Sequence, residues 1–478
     1  MLKMNYETVI GLEVHVQLKT KTKIFCSCST EFGNEPNTQV CPVCLGLPGS
    51  LPVLNKTVLD YGIKVGLALN CKVQSFTKFD RKHYYYPDLP KNYQISQYDL
   101  PVSQDGFLDI EVEGKIRRIR IKRAHLEEDA GKLIHETDAS LLDLNRTGMP
   151  LLEIVTEPDI HSPEEAHAYL TSLKSIIEYL DVSDCDMEKG SLRCDANVSI
   201  RKIGETELGT KTELKNMNSF KGVKDALAYE IERQAEVLDG AGRIIQQTLL
   251  WDVKEGKTVV MRTKEEAKDY RYFPEPDLPP FLITQETIEE IRKTIPELPE
   301  QRCKRIIKDY GLSQHDANIL VISKADADYA ENCMKAYKNS DKKPVVNLLI
   351  GPLYSEANTR NTSMHLLGVS PEDLLDLLGF IDREEISNLN AKAVLKEMIE
   401  TKNNPSGIIK AKNLVQISDT SFLDKVVEEV IQANAKSVED FRSGKINALM
   451  FLVGQVMKKS AGKANPKVVQ EILKRRLS

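Results

Sequence analysis

Four cysteines near the amino terminus have the spacing of a metal site. They form two close pairs about a dozen residues apart: Cys26, Cys28, Cys41 and Cys44. Two such pairs let four sulfurs converge tetrahedrally on one Zn²⁺, and the alternative is an ordinary cysteine-containing loop. Cys-x-Cys is tighter than the commoner Cys-x2-Cys, which weakens the signal slightly. We predict a closed, structural zinc site that holds the loop 26–44 and takes no part in a reaction.

A second candidate site lies just before these thiols, in VIGLEVHVQL. Strand alternation puts Glu13 and His15 on the same face, about 7 Å apart along the chain, which suits two ligands of one ion. The opposite face is apolar: Ile10, Leu12, Val14, Val16 and Leu18. Taken alone, the pair is more often explained as a solvated polar strand face.

Carboxylates in three further segments favour a cation site. Glu127, Glu128 and Asp129 end one predicted strand directly before a Gly turn, whereas Glu153 and Asp195 each lie in strands that are otherwise largely apolar. A carboxylate in such a strand usually needs a partner or a cation. Oxygen ligands with one imidazole suit Mg²⁺ better than Zn²⁺, provided that the fold brings them together.

A basic turn is the candidate phosphate contact. Lys211, Lys215 and Lys221 surround a turn that leads into a predicted helix, and ammonium groups near helix N-termini attract phosphate. On charge alone a solvated basic loop is favoured. The chain has neither GxxxxGK[ST] nor GxGxxG, so a nucleotide site would be of another kind.

The last segment is strongly basic. From residue 442 to 478 it holds nine Lys or Arg against a single acid, Glu471, and its apolar stripe predicts a helix. Such a surface suits a phosphate backbone without reading bases, although a solvated helical face explains it equally well.

Composition sets wide limits on the class of protein. The chain has 478 residues, a net charge of −6 and 41% hydrophobic residues, which predicts two to four domains with ordinary cores. It has no apolar run long enough to span a bilayer and no signal-peptide pattern at its start. Nine cysteines without a disulfide pattern favour a reducing compartment, and we predict a cytoplasmic protein.

The order of predicted elements indicates an α+β fold. Strands and helices alternate in blocks up to about residue 290, including helices at 163–180 after Ser162 and at 220–238 after Ser219. A Pro-rich stretch, YRYFPEPDLPPF, predicts an extended connection. The remaining chain is helical, with a break near 401–412.

Eight long segments resemble the B subunits (GatB) of glutamine-dependent aspartyl/glutamyl-tRNA amidotransferases. They are IGLEVHVQL, KFDRKHYYYPDLPKNYQISQYDLP, HLEEDAGK, LNRTGMPLLEIVTEPD, GSLRCDANVS, GTKTELKNMNSF, DYRYFPEPDLP and FLVGQVMKKSAGKANP. The resemblance implies a mixed-sheet, kinase-like catalytic cradle domain at 1–292, an all-α helical domain at 293–405 and an α-helical, YqeY-like tRNA-binding tail at 406–478.

The resemblance also implies an activity and partners. The family works as a GatA–GatB–GatC heterotrimer, in which GatA hydrolyses glutamine and ammonia passes to GatB. There ATP, with Mg²⁺, phosphorylates the side-chain carboxylate of Glu on tRNA(Gln) or Asp on tRNA(Asn), and ammonia displaces the phosphate. Which misacylated tRNA is the substrate is left open by the sequence.

The family's site residues carry over position by position. The catalytic Mg²⁺ ligands correspond to Glu13, His15, Glu128 and Glu153. The predicted ATP contacts are Lys215, Asn216, Ser191 and Asp195. Two alternatives are an archaeal-type GatE protein, disfavoured because no insertion of about a hundred residues separates the catalytic and helical parts, and a zinc-stabilised tRNA adaptor without catalysis.

Overall fold

The computed structural model describes residues 6–263, 269–414, 420–443, 445–460, 464 and 466–477. Contacts divide the chain into two compact units, Met1–Pro299 and Glu300–Ser478. The three-domain division at 292 and 405 stays a prediction. No helix among the described residues is long and apolar enough to cross a membrane.

A mixed sheet of twelve strands forms the frame of the first unit. Its main path runs β14-β13-β12-β11-β1-β10-β7-β5-β4-β15, and β6 joins it beside β7, with β2 beyond. Neighbours pair antiparallel except β12 and β13, which are parallel. The strands are β1 Tyr6–Gln17, β2 Lys72–Val73, β3 Phe76–Thr77, β4 Asp80–His83, β5 Tyr93–Ser96, β6 Ser103–Val112, β7 Lys115–Glu128, β8 Lys132–His135, β9 Ser140–Asp143, β10 Pro150–Thr156, β11 Leu192–Lys202, β12 Thr212–Lys215, β13 Gln247–Asp252, β14 Lys257–Thr263, β15 Phe273–Pro274 and β16 Phe281–Leu282.

Among the described residues of this unit there are five helices, and the two longest have the predicted caps. They are α1 Pro42–Leu45, α2 Lys56–Ala68, α3 Pro163–Tyr179, α4 Phe220–Asp239 and α5 Gln285–Lys293. The Ser162 hydroxyl accepts a hydrogen bond from the backbone N–H of Glu165, and Ser219 caps α4 in the same way through Gly222. Both predicted helices are therefore confirmed.

Strand β1 has an apolar face and a polar face. Ile10, Leu12, Val14 and Val16 have no exposed surface and share one buried cluster with residues of α3 and α4. On the other side of β1, Gly11, Glu13, His15 and Gln17 are only partly buried. The helices thus seal one face, which leaves the other face of the central strands free to form a site.

The second unit is helical, and its described residues form two separate buried clusters, one from Cys303 to Ile409 and one from Leu423 to Leu477. Its helices are α6 Pro299–Tyr310, α7 Gln314–Leu320, α8 Lys324–Ala336, α9 Lys343–Leu348, α10 Tyr354–Thr359, α11 Pro371–Asp382, α12 Asn388–Thr401, α13 Pro405–Ala411, α14 Thr420–Ala433, α15 Ala435–Arg442, α16 Ile446–Lys459 and α17 Pro466–Leu477, with a π-helical turn at Leu349–Leu353 and a 3-10 turn at Met364–Leu367. Pro352, which has no N–H to donate, accounts for the irregular π-helical turn. The predicted α+β fold with a helical C-terminal region is confirmed.

We expect Leu12→Ala to lower the free energy of unfolding of the first unit by about 2–5 kcal/mol, because it leaves a cavity between the central strand and the helices. Denaturant unfolding measures the change. Leu282→Ala is the matched control, since Leu282 is 73% exposed and should cost under about 0.5 kcal/mol. Equal effects at both positions would contradict this account of the core.

Candidate active site in the polar cavity of the sheet

A cavity of about 350 Å³ opens on the polar face of the central strands. Its lining is dominated by charged and aromatic side chains: Glu13, His15, Lys82, Gln97, Arg123, His125, Glu153, Val155, Asp195, Glu213, Lys215, Tyr270 and Tyr272. Predicted residues Glu13, His15, Glu153, Asp195 and Lys215 are all in this set. These five predicted residues, which are up to about two hundred positions apart in the sequence, therefore share one cavity.

Three antiparallel strands place one imidazole on each side of a carboxylate. In the register of β1, β10 and β7, Glu153 lies opposite His15 on one side and opposite His125 on the other. The Glu153 Oε2 atom is 3.3 Å from Nε2 of His15 and 3.3 Å from Nε2 of His125. Because side chains directly opposite in antiparallel strands lie on one face, the register alone creates this row.

Glu127 completes a compact donor set. Its Oε1 lies 3.7 Å from Nε2 of His15, and its Oε2 lies 3.8 Å from Nε2 of His125. His15, Glu127 and Glu153 each offer one ligand atom, and these atoms all lie within 4.8 Å of one another. Two buried carboxylates and one imidazole at this separation can hold a metal ion.

Glu128, which the sequence analysis assigned to the metal, does not lie in this set. Strand alternation turns it to the opposite side of β7, the side of the buried residues Ala124 and Leu126. There its carboxylate pairs with the ammonium of Lys91 and accepts a hydrogen bond from the backbone N–H of Ile95 at 2.8 Å. The position that the prediction gave to Glu128 is occupied by Glu127.

The other half of the cavity holds a lysine among acids. Glu13 lies opposite Asp195 in the register of β1 and β11, and its Oε1 accepts a hydrogen bond from the Asn197 amide at 2.9 Å. The Lys215 ammonium pairs with Asp195 and lies 3.1 Å from Oε1 of Glu213. Glu13 thus lies beside the donor set and outside the three-residue group, and Lys215 is held at the cavity wall by two carboxylates.

Two predicted nucleotide contacts lie elsewhere. The Ser191 hydroxyl pairs with Asp184 and accepts a hydrogen bond from the backbone N–H of Asp186 at 2.8 Å, so it ties the loop before β11. The Asn216 amide donates to the carbonyl of Trp251 at 3.3 Å, and its backbone has φ of 68°. Neither residue is among those that line the cavity.

Burial and charge set the protonation of the donor set. The pKa of Glu13 is raised by burial and by the negative charge of Glu153. Burial opposes ionisation of Glu153, but the positive charge and hydrogen bond of His125 hold its pKa well below the usual range. Burial likewise opposes protonation of His125, but the charges and hydrogen bonds of Glu153 and Glu127 together outweigh it and raise the His125 pKa to about 9. Glu153 is therefore negatively charged in the folded protein, and the positive charge of the neighbouring His125 compensates it.

The four-cysteine loop forms a second compact donor set. The sulfurs of Cys26, Cys28, Cys41 and Cys44 lie within 4.8 Å of one another. A tetrahedral zinc site with Zn–S of about 2.3 Å has sulfurs about 3.8 Å apart, and the Cys41 and Cys44 sulfurs are 3.9 Å apart. Cys26 acts as hydrogen-bond donor to Cys44 and lowers the Cys44 pKa to about 5, and Lys23 adds a nearby positive charge. The cluster fits one metal ion.

Comparison with known proteins shows the family of the chain. The family described as GatB/GatE catalytic domain matches residues 8–289, and the family described as GatB domain matches residues 328–477. The chain belongs to the GatB family, the B subunits of aspartyl/glutamyl-tRNA(Asn/Gln) amidotransferases. The predicted resemblance and the prediction of an amidotransferase component are confirmed.

Curated relatives span the whole chain. A protein of Carboxydothermus hydrogenoformans is 56% identical over 478 residues, which cover 99% of each chain. Proteins of Caldanaerobacter subterraneus and Thermodesulfovibrio yellowstonii are 56% and 52% identical, over 99% and 98% of this chain and 100% and 99% of their own. All three are named as B subunits of the aspartyl/glutamyl-tRNA(Asn/Gln) amidotransferase.

Several lining residues were missed by sequence reasoning. His125 lies two residues before Glu127 in one strand, a signal equal to that of Glu13 and His15, and of these two only Glu127 belongs to the predicted acidic cluster. Lys82 and Tyr272 lie in Tyr- and Pro-rich segments that carry the family resemblance, but neither residue is among the predicted site residues. Strand alternation in AHLEED was sufficient to select Glu127 over Glu128, because Ala124 and Leu126 mark the apolar face.

Proposed function

We propose that this chain activates the side-chain carboxylate of Glu esterified to tRNA(Gln), Asp esterified to tRNA(Asn), or both, by phosphorylation with ATP, and then transfers ammonia to it. The observation that carries the proposal is the donor set of His15, Glu127 and Glu153, of which His15 and Glu153 line a charged cavity. The relatives' names supply the tRNA chemistry. We assign the chain to a cytoplasmic complex in which a glutaminase of the GatA type supplies ammonia and a GatC-type protein completes the assembly.

His15, Glu127 and Glu153 are the residues that would hold Mg²⁺. The fit rests on the donor chemistry, since two carboxylates and an imidazole leave positions for water and phosphate oxygens, as Mg²⁺ prefers. A bound Mg²⁺ neutralises phosphate charge. Without it, His15 and His125 compensate the same carboxylates, which keeps the donor set assembled.

Three cations around the cavity are placed to bind phosphate oxygens: Lys82, Arg123 and Lys215. Burial lowers the pKa of Lys82, but the negative charges of Glu127 and Glu153, together with the neighbouring tyrosines, raise it above its usual value, so Lys82 stays charged. Lys215 is pre-oriented by Asp195 and Glu213. Phosphoryl transfer depends mainly on such positioning and charge stabilisation.

The proposed reaction requires no covalent enzyme intermediate. Among the described residues that line the cavity, none is a Ser or a Cys. In the proposed reaction a carboxylate oxygen of the esterified amino acid attacks the terminal phosphorus of ATP and ADP leaves. Ammonia then attacks the acyl carbon and phosphate departs. The protein binds, orients and excludes water at both steps.

The C-terminal helices are proposed to bind the tRNA backbone. Helices α14 to α17 bury their own cluster, which leaves exposed basic residues such as Lys467, Arg475 and Arg476 on the outside. Lys463, which belongs to the predicted basic surface, lies outside the described residues. Phosphate contacts of this kind add affinity and orientation without base specificity.

We expect Glu127→Gln, in the chain assembled with its partner proteins, to raise the Mg²⁺ concentration for half-maximal activity at least about tenfold and to slow tRNA-dependent phosphate release by about 10²-fold or more. The substitution keeps the size of the side chain and removes one ligand charge. Phosphate release and amidation, followed during Mg²⁺ titration, measure the effect.

Glu128→Gln is the matched control one residue away. It should leave the Mg²⁺ requirement unchanged and lower the melting temperature, because the buried Lys91 loses its ionic partner. An Mg²⁺ requirement that responds to Glu128→Gln and not to Glu127→Gln would reject the assigned ligands.

We expect one zinc per chain at the cysteine loop, held by thiolates in a closed structural site. Cys44→Ser should remove the zinc and lower the melting temperature, while Cys71→Ala, at a buried cysteine outside the cluster, should retain it. Elemental analysis of the purified proteins measures the zinc content of both variants. Zinc-free protein with all four cysteines reduced would disprove this site.

We expect a chain that ends at Leu414 to bind tRNA more weakly and to show a raised KM for aminoacyl-tRNA, with a smaller change in kcat. The truncation removes α14 to α17 with their separate cluster and leaves the cluster from Cys303 to Ile409 complete. Filter binding at several salt concentrations measures the affinity. Unchanged affinity with an unchanged salt slope would exclude the tail as a tRNA contact.

A further inference from the structure

An aromatic cluster at the cavity mouth has no role in the reaction proposed above. It consists of six tyrosines, which we call the aromatic rim: Tyr84, Tyr85, Tyr86, Tyr98, Tyr270 and Tyr272. Both Tyr- and Pro-rich segments of the sequence contribute to it. Their convergence gives these segments a function beyond that of connections.

Backbone pairing brings the two segments together. Strand β4 pairs with β5 and with the short strand β15, and the backbone N–H of His83 donates to the carbonyl of Tyr270 at 2.8 Å. The residues after β4 therefore meet those before β15. Tyr98, two residues beyond the end of β5, joins them from a third direction, anchored by a hydrogen bond from its N–H to Asp80 at 3.1 Å.

The rim runs from solvent to the wall of the cavity. Tyr98 and Tyr272 stack with ring centroids 4.2 Å apart and planes 12° from parallel. Tyr85, Tyr86 and Tyr98 are 58%, 47% and 51% exposed, whereas Tyr270 and Tyr272 line the cavity. A group of neighbouring tyrosines left half exposed on a folded protein marks a binding surface.

Cations are interleaved with the rings. The Lys82 ammonium lies 4.9 Å from the ring centroid of Tyr270. Arg271 lies 5.8 Å from the ring centroid of Tyr85 and donates a hydrogen bond to the Tyr85 hydroxyl at 3.0 Å. Aromatic faces that stack bases, beside cations that meet phosphates, are the combination used by proteins that bind single-stranded nucleic acid.

We propose that the aromatic rim stacks the terminal nucleobases of the single-stranded acceptor end of aminoacyl-tRNA while the esterified amino acid enters the cavity. This inference rests on the proposed function. The amino acid and the last base belong to the same nucleotide, so a stacking surface must begin at the cavity wall, where Tyr270 and Tyr272 lie. The rim continues outward to the exposed Tyr85 and Tyr86, which gives more ring faces than the one base of ATP could use.

The test uses the full chain assembled with its partner proteins and a tRNA whose terminal adenine is replaced by the fluorescent base 2-aminopurine. Stacking quenches this base, so binding to the unaltered complex should quench it. Tyr98→Ala and Tyr272→Ala should abolish most of the quenching and weaken tRNA binding roughly 5- to 150-fold, the range for loss of one stacked base. In Tyr98→Ala the KM for ATP should not change, because Tyr98 does not line the cavity.

Tyr98→Phe and Tyr272→Phe are the matched controls, because they keep the ring and remove the hydroxyl. Both should retain the quenching. Alanine variants that raise the KM for ATP while leaving the quenching intact would assign the rim to the nucleotide and overturn the proposal. So would quenching that survives in both alanine variants or is lost in the phenylalanine variants.

The binding readout separates this inference from the proposed function. Quenching needs neither ATP nor turnover. A complex that quenches the terminal base through Tyr98 and Tyr272 but releases no phosphate with any misacylated tRNA would refute the proposed function and leave the rim assignment standing. Melting temperatures of the Tyr98 variants, whose side chain is half exposed, establish that folding is not the cause of the loss.

Discussion

A single buried carboxylate oxygen, Oε2 of Glu153, lies 3.3 Å from imidazole nitrogens on both neighbouring strands. A buried negative charge without compensation is costly, so the positions of His15 and His125 are tied to that of Glu153. The contact exists only in the observed register of β1, β10 and β7. A slip of one residue would turn these side chains into the apolar face, and the register therefore determines both the core and the site.

The same alternation places the residues that stabilise the fold on one face of the sheet and the residues of the candidate site on the other. On one side of β1 the fully buried residues Leu12 and Val14 pack in a cluster with α3 and α4. On the other side, the residues of the charged cavity do not have to pack in an apolar core. They are held in place by ion pairs with one another, as Lys215 is by Asp195 and Glu213. A rigid sheet with one sealed face is well suited to hold a substrate, a nucleotide and a cation in fixed relative positions.

Local patterns in the sequence were enough to predict the two sides of β1 and the caps of α3 and α4. The period of a strand and the hydroxyl of Ser162 act over a few residues, so no tertiary information is needed. The same local rule favours Glu127 over Glu128, whereas the family resemblance assigns the metal to Glu128. What no local pattern contains is the order of strands, which alone makes His125 a neighbour of Glu153.

Ser191 and Asn216 stay predicted nucleotide contacts, and the same lack of tertiary information applies to them. They flank strands that enter the cavity, but their side chains hydrogen-bond to backbone groups of the loop before β11 and of β13. The aromatic rim cannot be predicted from local sequence patterns. Its two halves lie nearly two hundred residues apart and meet only through the pairing of β4 with β15.

The most direct test of the central claim is the position of a bound divalent cation. Mn²⁺ can replace Mg²⁺ at oxygen-rich sites and gives an anomalous X-ray signal. Crystals of the assembled complex with Mn²⁺ and a non-hydrolysable ATP analogue should show a peak about 2.0–2.4 Å from His15 Nε2 and from carboxylate oxygens of Glu127 and Glu153. A peak at Glu128, or density for the analogue in the cavity with no cation at these three residues, would contradict the account.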